Sequence, residues 1–153
     1  MTPPVPRPLF PRIRTGLAAG RLACLYAGFG LAKHVLPLPT LVGLAWTPTA
    51  DHPGPAAEAR AIAVVTRVRR TLGGNRDCLH GSLVLYRELL RAGAAPRLSI
   101  GMRKRGARLE GHSWVEVRGA VVGDRIADGE PWSVLAAFGP DGRMDPSIDS
   151  ATR

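Results

Sequence analysis

Apolar side chains along this chain recur first with a helical and then with a strand-like period. Leu17, Leu25 and Phe29, with Leu22 and Tyr26 beside them, predict a helix over Gly16 to Ala32 whose apolar side packs on a core. Pro37 and Pro39 stop it, and Leu41 to Trp46 form a short further turn. Thr47 to Pro55 carries Pro48, Pro53, Gly54 and Pro55 and is the clearest linker. Ala56 to Leu72 is the next helix: Ile62, Val65, Val68 and Leu72 follow at three- and four-residue steps, and Gly73-Gly74 ends it as a C-terminal cap. Asn75 or Asp77 can cap a third long helix from Cys78 to Arg91, with Leu79, Leu83, Tyr86, Leu89 and Leu90 on one face and Gly93 at its stop.

From Arg97 the pattern alternates. Arg97 to Met102 is predicted as a strand, the basic, glycine-containing Arg103 to Leu109 as a loop, and His112 to Val117 and Ala120 to Asp124 as two further strands turning at Arg118-Gly119. Helices followed by antiparallel strands give an α+β class, and 153 residues fit one domain. Its parts are a flexible proline-rich tail at 1–12, a helical portion at 13–72, a core at 75–130 carrying the chemistry, and a flexible tail at 139–153, rich in Pro, Gly and Asp.

Composition narrows the class. A hydrophobic fraction of 45% with 22% charge is globular, and 5% aromatics leave the core to Leu, Val and Ala. The net charge of +9 either attracts an anionic partner or is simply a solvated surface. No aromatics interleave with the run Arg103-Lys104-Arg105, and no paired Cys/His zinc spacing exists, so nucleic acid is not the expected partner. The apolar Gly16–Ala32 stretch holds Arg21 and four glycines, which falls short of a membrane span. It comes late for a secretory signal, and no Ala-x-Ala-like site follows it. Two cysteines, Cys24 and Cys78, are no disulfide scaffold; both are expected free in a reducing, cytoplasmic compartment, Cys24 as a packing residue.

The chemistry concentrates between Asn75 and Asp124. Cys78 falls in the first turn of its helix, where unpaired backbone N–H groups and the positive end of the macrodipole favour the nucleophilic thiolate. Alone it reads as readily as a small buried apolar residue, so its partners decide. His80, two residues on, faces elsewhere on a helix and is a poor base. His112 and Asp124 lie symmetrically about Arg118. A hairpin loop with an odd number of residues there sets them opposite each other, with Cβ atoms roughly 4.5–5.5 Å apart. A two-residue turn would oppose Ser113 to Asp124 instead. In the first register Asp124 orients His112, which activates Cys78, while Trp114 on the same face shields the site and is the substrate-binding candidate. Asp128 is the reserve acid. The competing reading is a half-buried strand with a surface histidine.

Cys78-Leu79, the leucine-rich helix to Arg91-Ala92-Gly93, Ile100-Gly101-Met102, His112-Ser113-Trp114-Val115-Glu116 and Asp124 together resemble the transglutaminase-like cysteine peptidases of lasso peptide biosynthesis. Length and apolar N-terminal helices are similar to the stand-alone form, whose leader-recognition module is a separate chain. The resemblance implies a papain-like core with the nucleophile at a helix N-terminus on a small antiparallel sheet. It also implies a Cys78-His112-Asp124 triad that cleaves the leader from a ribosomally made precursor, before a partner cyclase closes a macrolactam. This sequence departs from the family in having Gly81 where arginine is frequent and Ser113 where alanine is usual. No metal or organic cofactor is implied. Two rivals remain open: acyl transfer to an amine through the same intermediate, and a non-catalytic basic adaptor that binds the precursor.

Overall fold

A computed structural model describes residues 10–49, 54–72, 78–124 and 131–148. Four helices precede the sheet: α1 (Phe10–Ala32), α2 (Leu38–Ala45), α3 (Pro55–Thr71) and α4 (Cys78–Arg91). The strands are β1 (Pro96–Arg105), β2 (Arg108–Val117), β3 (Ala120–Val122) and β4 (Ser133–Phe138), ordered β3-β2-β1-β4 with every pairing antiparallel. No helix among the described residues is long and apolar enough to cross a membrane.

Helix α4 is the axis of the molecule. It contacts α1, α2 and α3 on one side and β1 and β2 on the other. This explains why Leu83, Val84, Leu85 and Tyr86 are consecutive apolar positions rather than one stripe: with helices on one side and the sheet on the other, the charged side of α4 is confined to Arg87, Glu88 and Arg91 near its end. The single apolar face expected for α4 is therefore too narrow, since Val84 and Leu85 are buried as well. Leu22, Tyr26 and Phe29 of α1, Leu41, Val42 and Ala45 of α2, and Val65 of α3 close over it, while Leu98, Val115, Val117 and Phe138 meet it from the sheet. Each large side chain of this kind contributes on the order of 2 kcal/mol by leaving water. Arg87 donates to the carbonyls of Leu44, Ala45 and Trp46 at 3.2, 3.3 and 3.3 Å, satisfying acceptors that the end of α2 leaves open. Arg21 pairs with Glu88 and ties α1 to α4.

Several expectations are corrected. Helix α1 begins at Phe10, inside the stretch expected as a tail, with Pro11 tolerated in its first turn. Cys24 is exposed rather than packed. Helix α2 starts at Leu38 because Pro39 is compatible with a first turn, not only with a stop. Leu72 is exposed, whereas Val65 is buried as expected. The cap residues Asn75 and Asp77, and Gly73-Gly74, lie outside the described residues. The basic segment expected as a loop is strand on both sides of a two-residue turn, Gly106-Ala107, with Gly106 at a φ of 60°. Its charges are compatible with pairing because Arg103 stands opposite Glu110 and bonds it at 3.1 Å.

The fourth strand was not foreseen, and residues 139–148 form no trailing tail in this structure. Asp145 N–H donates to the Ala137 carbonyl at 2.8 Å, Tyr86 Oη to the Gly139 carbonyl at 2.6 Å, and Trp46 Nε1 to the Pro140 carbonyl at 3.2 Å. Arg97 pairs with Asp145 at 3.0 Å. The segment is thus tied to α4, to β4 and to the end of α2.

Gly81 is a buried helical glycine with room to spare. A Cβ there would meet Arg69 Cδ at 3.5 Å and Tyr26 Oη at 3.7 Å, both ordinary contacts. Gly81→Ala is therefore expected to recover most of the helix-propensity deficit of about 1 kcal/mol. In a chain of this size that raises the thermal midpoint by about 3 °C. A calorimetric midpoint that falls instead would show that the notch beside Gly81 cannot accept a methyl group.

Candidate active site

Cys78 is the first residue of α4, partly buried, at the terminus where helical N–H groups have no intrahelical acceptor. It reaches β2 because β3 is short. Val122, the last residue of β3, pairs with Val115, so β2 from Ser113 outward has no β3 neighbour. The start of α4 occupies that edge. Ser82 Oγ donates to the Ser113 carbonyl at 2.9 Å, and the two serine hydroxyls lie 3.2 Å apart. Cys78, one turn before Ser82, receives hydrogen bonds from the Ser113 backbone and side chain and from the His112 side chain. Ser113 thus belongs to the site, although the sequence marked it only as a departure from alanine.

His112 Nε2 is 3.4 Å from Asp124 Oδ2, which leaves Nδ1 as the nitrogen for the sulfur. The three residues expected to act together are brought together, but not by the expected hairpin. Val117 pairs with Ala120, so the loop is the two-residue turn Arg118-Gly119, both with positive φ (52° and 78°). That register would set Ser113, not His112, opposite Asp124. The strand ends first: Gly123 adopts a φ of 72° and turns the chain, so Asp124 meets His112 from beyond β3 rather than from across a ladder. Arg118 is held in its unusual conformation with its guanidinium on Glu58 of α3, at 3.0 and 2.7 Å.

Asp124 Oδ2 also accepts a bond from Arg69 Nη1 of α3, at 3.1 Å. No local pattern pointed to Arg69; it arrives through the packing of α3 on α4. Asp128 lies outside the described residues. His80 sets its ring edge-on to Tyr26, with centroids 5.5 Å apart.

The imidazole is held in an aromatic stack. Trp114 lies nearly parallel to it, with centroids 6.2 Å apart and planes at 19°, and Trp132 approaches to 5.4 Å. Arg103 covers the Trp132 ring, its guanidinium carbon 4.5 Å from the centroid. Trp114, the substrate-binding candidate, is only 4% exposed and donates Nε1 to Glu116 at 2.7 Å, so it braces His112 and offers little open surface. Trp132 was missed. The clue was an aromatic residue opening the apolar run Val134 to Phe138.

The electrostatics favour an ion pair. Burial pushes the Cys78 thiol up, but hydrogen bonds from His112 and Ser113 and the charge of His112 outweigh it and bring the thiol from 9.0 to about 7. His112 is held above its ordinary value by its bond to Cys78, with burial opposing, the charges of Cys78 and Asp124 assisting, and Arg69 opposing. A lowered thiol and a raised imidazole both favour thiolate–imidazolium, a coupled pair. Alkylation of Cys78 by iodoacetamide, measured with exposed Cys24 changed to serine, is therefore expected to accelerate as pH rises through about 7. His112→Ala removes the largest lowering influence and is expected to move that midpoint upward. A midpoint indifferent to His112 would show that the two residues are not coupled.

Among the described residues no group of three or more His, Cys, Asp or Glu could hold a metal ion. Neither the curated proteins nor the solved structures yield a match to the chain. A family model described as transglutaminase-like superfamily matches residues 18–137, which span α1 from its middle through β4 and include Cys78, His112 and Asp124. With the helix that begins at Cys78 packed on an antiparallel sheet and a match over most of its length, the chain belongs to the transglutaminase-like superfamily.

Proposed function

We propose that the protein is a cysteine peptidase that releases the leader from a ribosomally synthesised lasso peptide precursor. The observation that carries the catalytic part is the convergence of Cys78, His112 and Asp124 at the start of α4, with the thiol brought to about 7. The choice of substrate is supported by the motif resemblance around these residues. In this reading a separate recognition protein presents the precursor, a cyclase consumes the product, and the reaction is cytoplasmic.

The thiolate attacks the carbonyl carbon at the leader–core junction, forming a C–S bond and a tetrahedral oxyanion. Backbone N–H groups at the α4 terminus are the donors available to that oxyanion. His112 then gives its proton to the amine nitrogen as the C–N bond breaks, freeing the core peptide and leaving the leader as a thioester on Cys78. Water attacks the thioester, His112 takes its proton, and the thiolate departs. Asp124 holds Nε2 throughout, so that Nδ1 is the atom that moves the proton.

The test is mass spectrometry of a precursor incubated with the recognition protein and either wild type or Cys78→Ala. Release of leader by wild type alone is the expected result. Release by neither, with both proteins folded and the cognate precursor used, would favour the adaptor. An amide adduct formed in the presence of an added amine would assign acyl transfer instead.

A further inference from the structure

Two cations claim one carboxylate oxygen in this site. Arg69 Nη1 is 3.1 Å and His112 Nε2 3.4 Å from the same Asp124 Oδ2. The pair with Arg69 is largely shielded, with side-chain exposures of 15% and 16%. The arginine reaches this place through a notch. Its Cδ passes 3.5 Å from where a Cβ of Gly81 would stand, and buried Tyr26 borders the same space, so a long residue at 81 would meet the Arg69 side chain.

We propose that Arg69 is a positioning residue of the site, dividing the charge of Asp124 with His112 and so limiting how tightly the imidazolium is held. Among the described residues, Cys78 from α4, Asp124 after β3 and Arg69 from α3 are the charged or titratable groups that act on His112, with Arg103 of β1 behind Trp132. Asp124 follows directly on the Gly123 turn, whose φ of 72° is local to the chain. Arg69 therefore acts by charge more than by scaffolding. A carboxylate given wholly to His112 would stabilise the imidazolium and make it a poorer proton donor to a leaving amine. Sharing it keeps the proton available. The inference rests on the Cys78–His112 reading but needs no substrate.

The test is a nuclear magnetic resonance titration of His112 in the full chain, wild type beside Arg69→Met and Arg69→Lys. Losing the positive charge removes an influence that lowers the imidazole, so the His112 midpoint is expected to rise in Arg69→Met. Lysine keeps the charge and is expected to return it most of the way to wild type. A midpoint that stays put overturns the proposal. One that falls also overturns it, because a fall is what a mere holder of Asp124 would produce when lost. If methionine disrupts the fold, judged by loss of amide dispersion, Arg69→Gln gives the same reading. A normal titration series with no leader release would count against the peptidase reading and leave this one standing. An unshifted Arg69→Met with leader release intact would do the reverse.

Discussion

Cys78→Ala is expected to abolish turnover, with a loss of about 10⁴–10⁶-fold in kcat, while leaving the fold intact. The thiolate is the only protein atom in the proposed cycle that forms a bond to carbon. His112 and the α4 N–H groups can polarise a bound peptide but cannot replace the thioester. Residual activity should therefore be no more than what binding and oxyanion donors supply. Stability is expected to change little, because Cys78 is only partly buried at a helix terminus and contributes no core packing. Cys78→Ser is expected to be almost as inactive: a hydroxyl stays protonated near neutral pH and forms no ion pair with His112. Intact-protein mass spectrometry after quenching in acid makes the comparison direct. Wild type should carry the mass of the leader as a thioester, and neither variant should. Full turnover by Cys78→Ala would place the nucleophile elsewhere, and exposed Cys24 would be the next thiol to replace.

The elements that carry Cys78 and His112 were legible in the sequence because each follows from local pattern. The helix beginning at Cys78 has an apolar repeat and a glycine stop, and its observed bounds are the expected ones. His112 belongs to an alternating run that could only be a strand. Asp124 does stand beside His112, but by a different geometry from the expected one. The expected pairing needs a ladder reaching residue 124, whereas the turn closes in two residues and the strand ends at Val122. What local pattern could not supply is whatever α3 and β4 bring across the fold. Arg69 looks like any surface arginine on α3, and Trp132 like the start of a loop. Their roles depend on which helix lies against α4 and on the pairing of β4 with β1, contacts between residues far apart in sequence. The basic hairpin tip was misjudged for a related reason: the cation-rich run is offset by Glu110 on the facing strand, and that register had to be known first.

Gly123→Ala is expected to damage both stability and catalysis, because one residue sets the direction of the chain into Asp124. Its φ of 72° is a conformation that costs an L side chain about 1 kcal/mol or more. An added Cβ would also stand 2.6 Å from Leu85 Cδ2. Leu85 is only 5% exposed within the core of α4, so its methyl cannot step aside into solvent. Such overpacking costs about 1–3 kcal/mol, giving roughly 2–4 kcal/mol in all and a fall in thermal midpoint of about 10 °C. The chain can relieve the overlap only by moving residues 123–124 away from α4, which draws the carboxylate off His112. Leader release is then expected to fall by at least about tenfold at temperatures where the variant is folded. Gly111→Ala is the control, since that glycine adjoins His112 on the other side, has no positive φ, and has nothing within 4 Å of an added Cβ. It is expected to be close to neutral in both measurements. Equal effects at the two positions would mean that crowding near His112, not the left-handed turn at Gly123, governs the placement of Asp124.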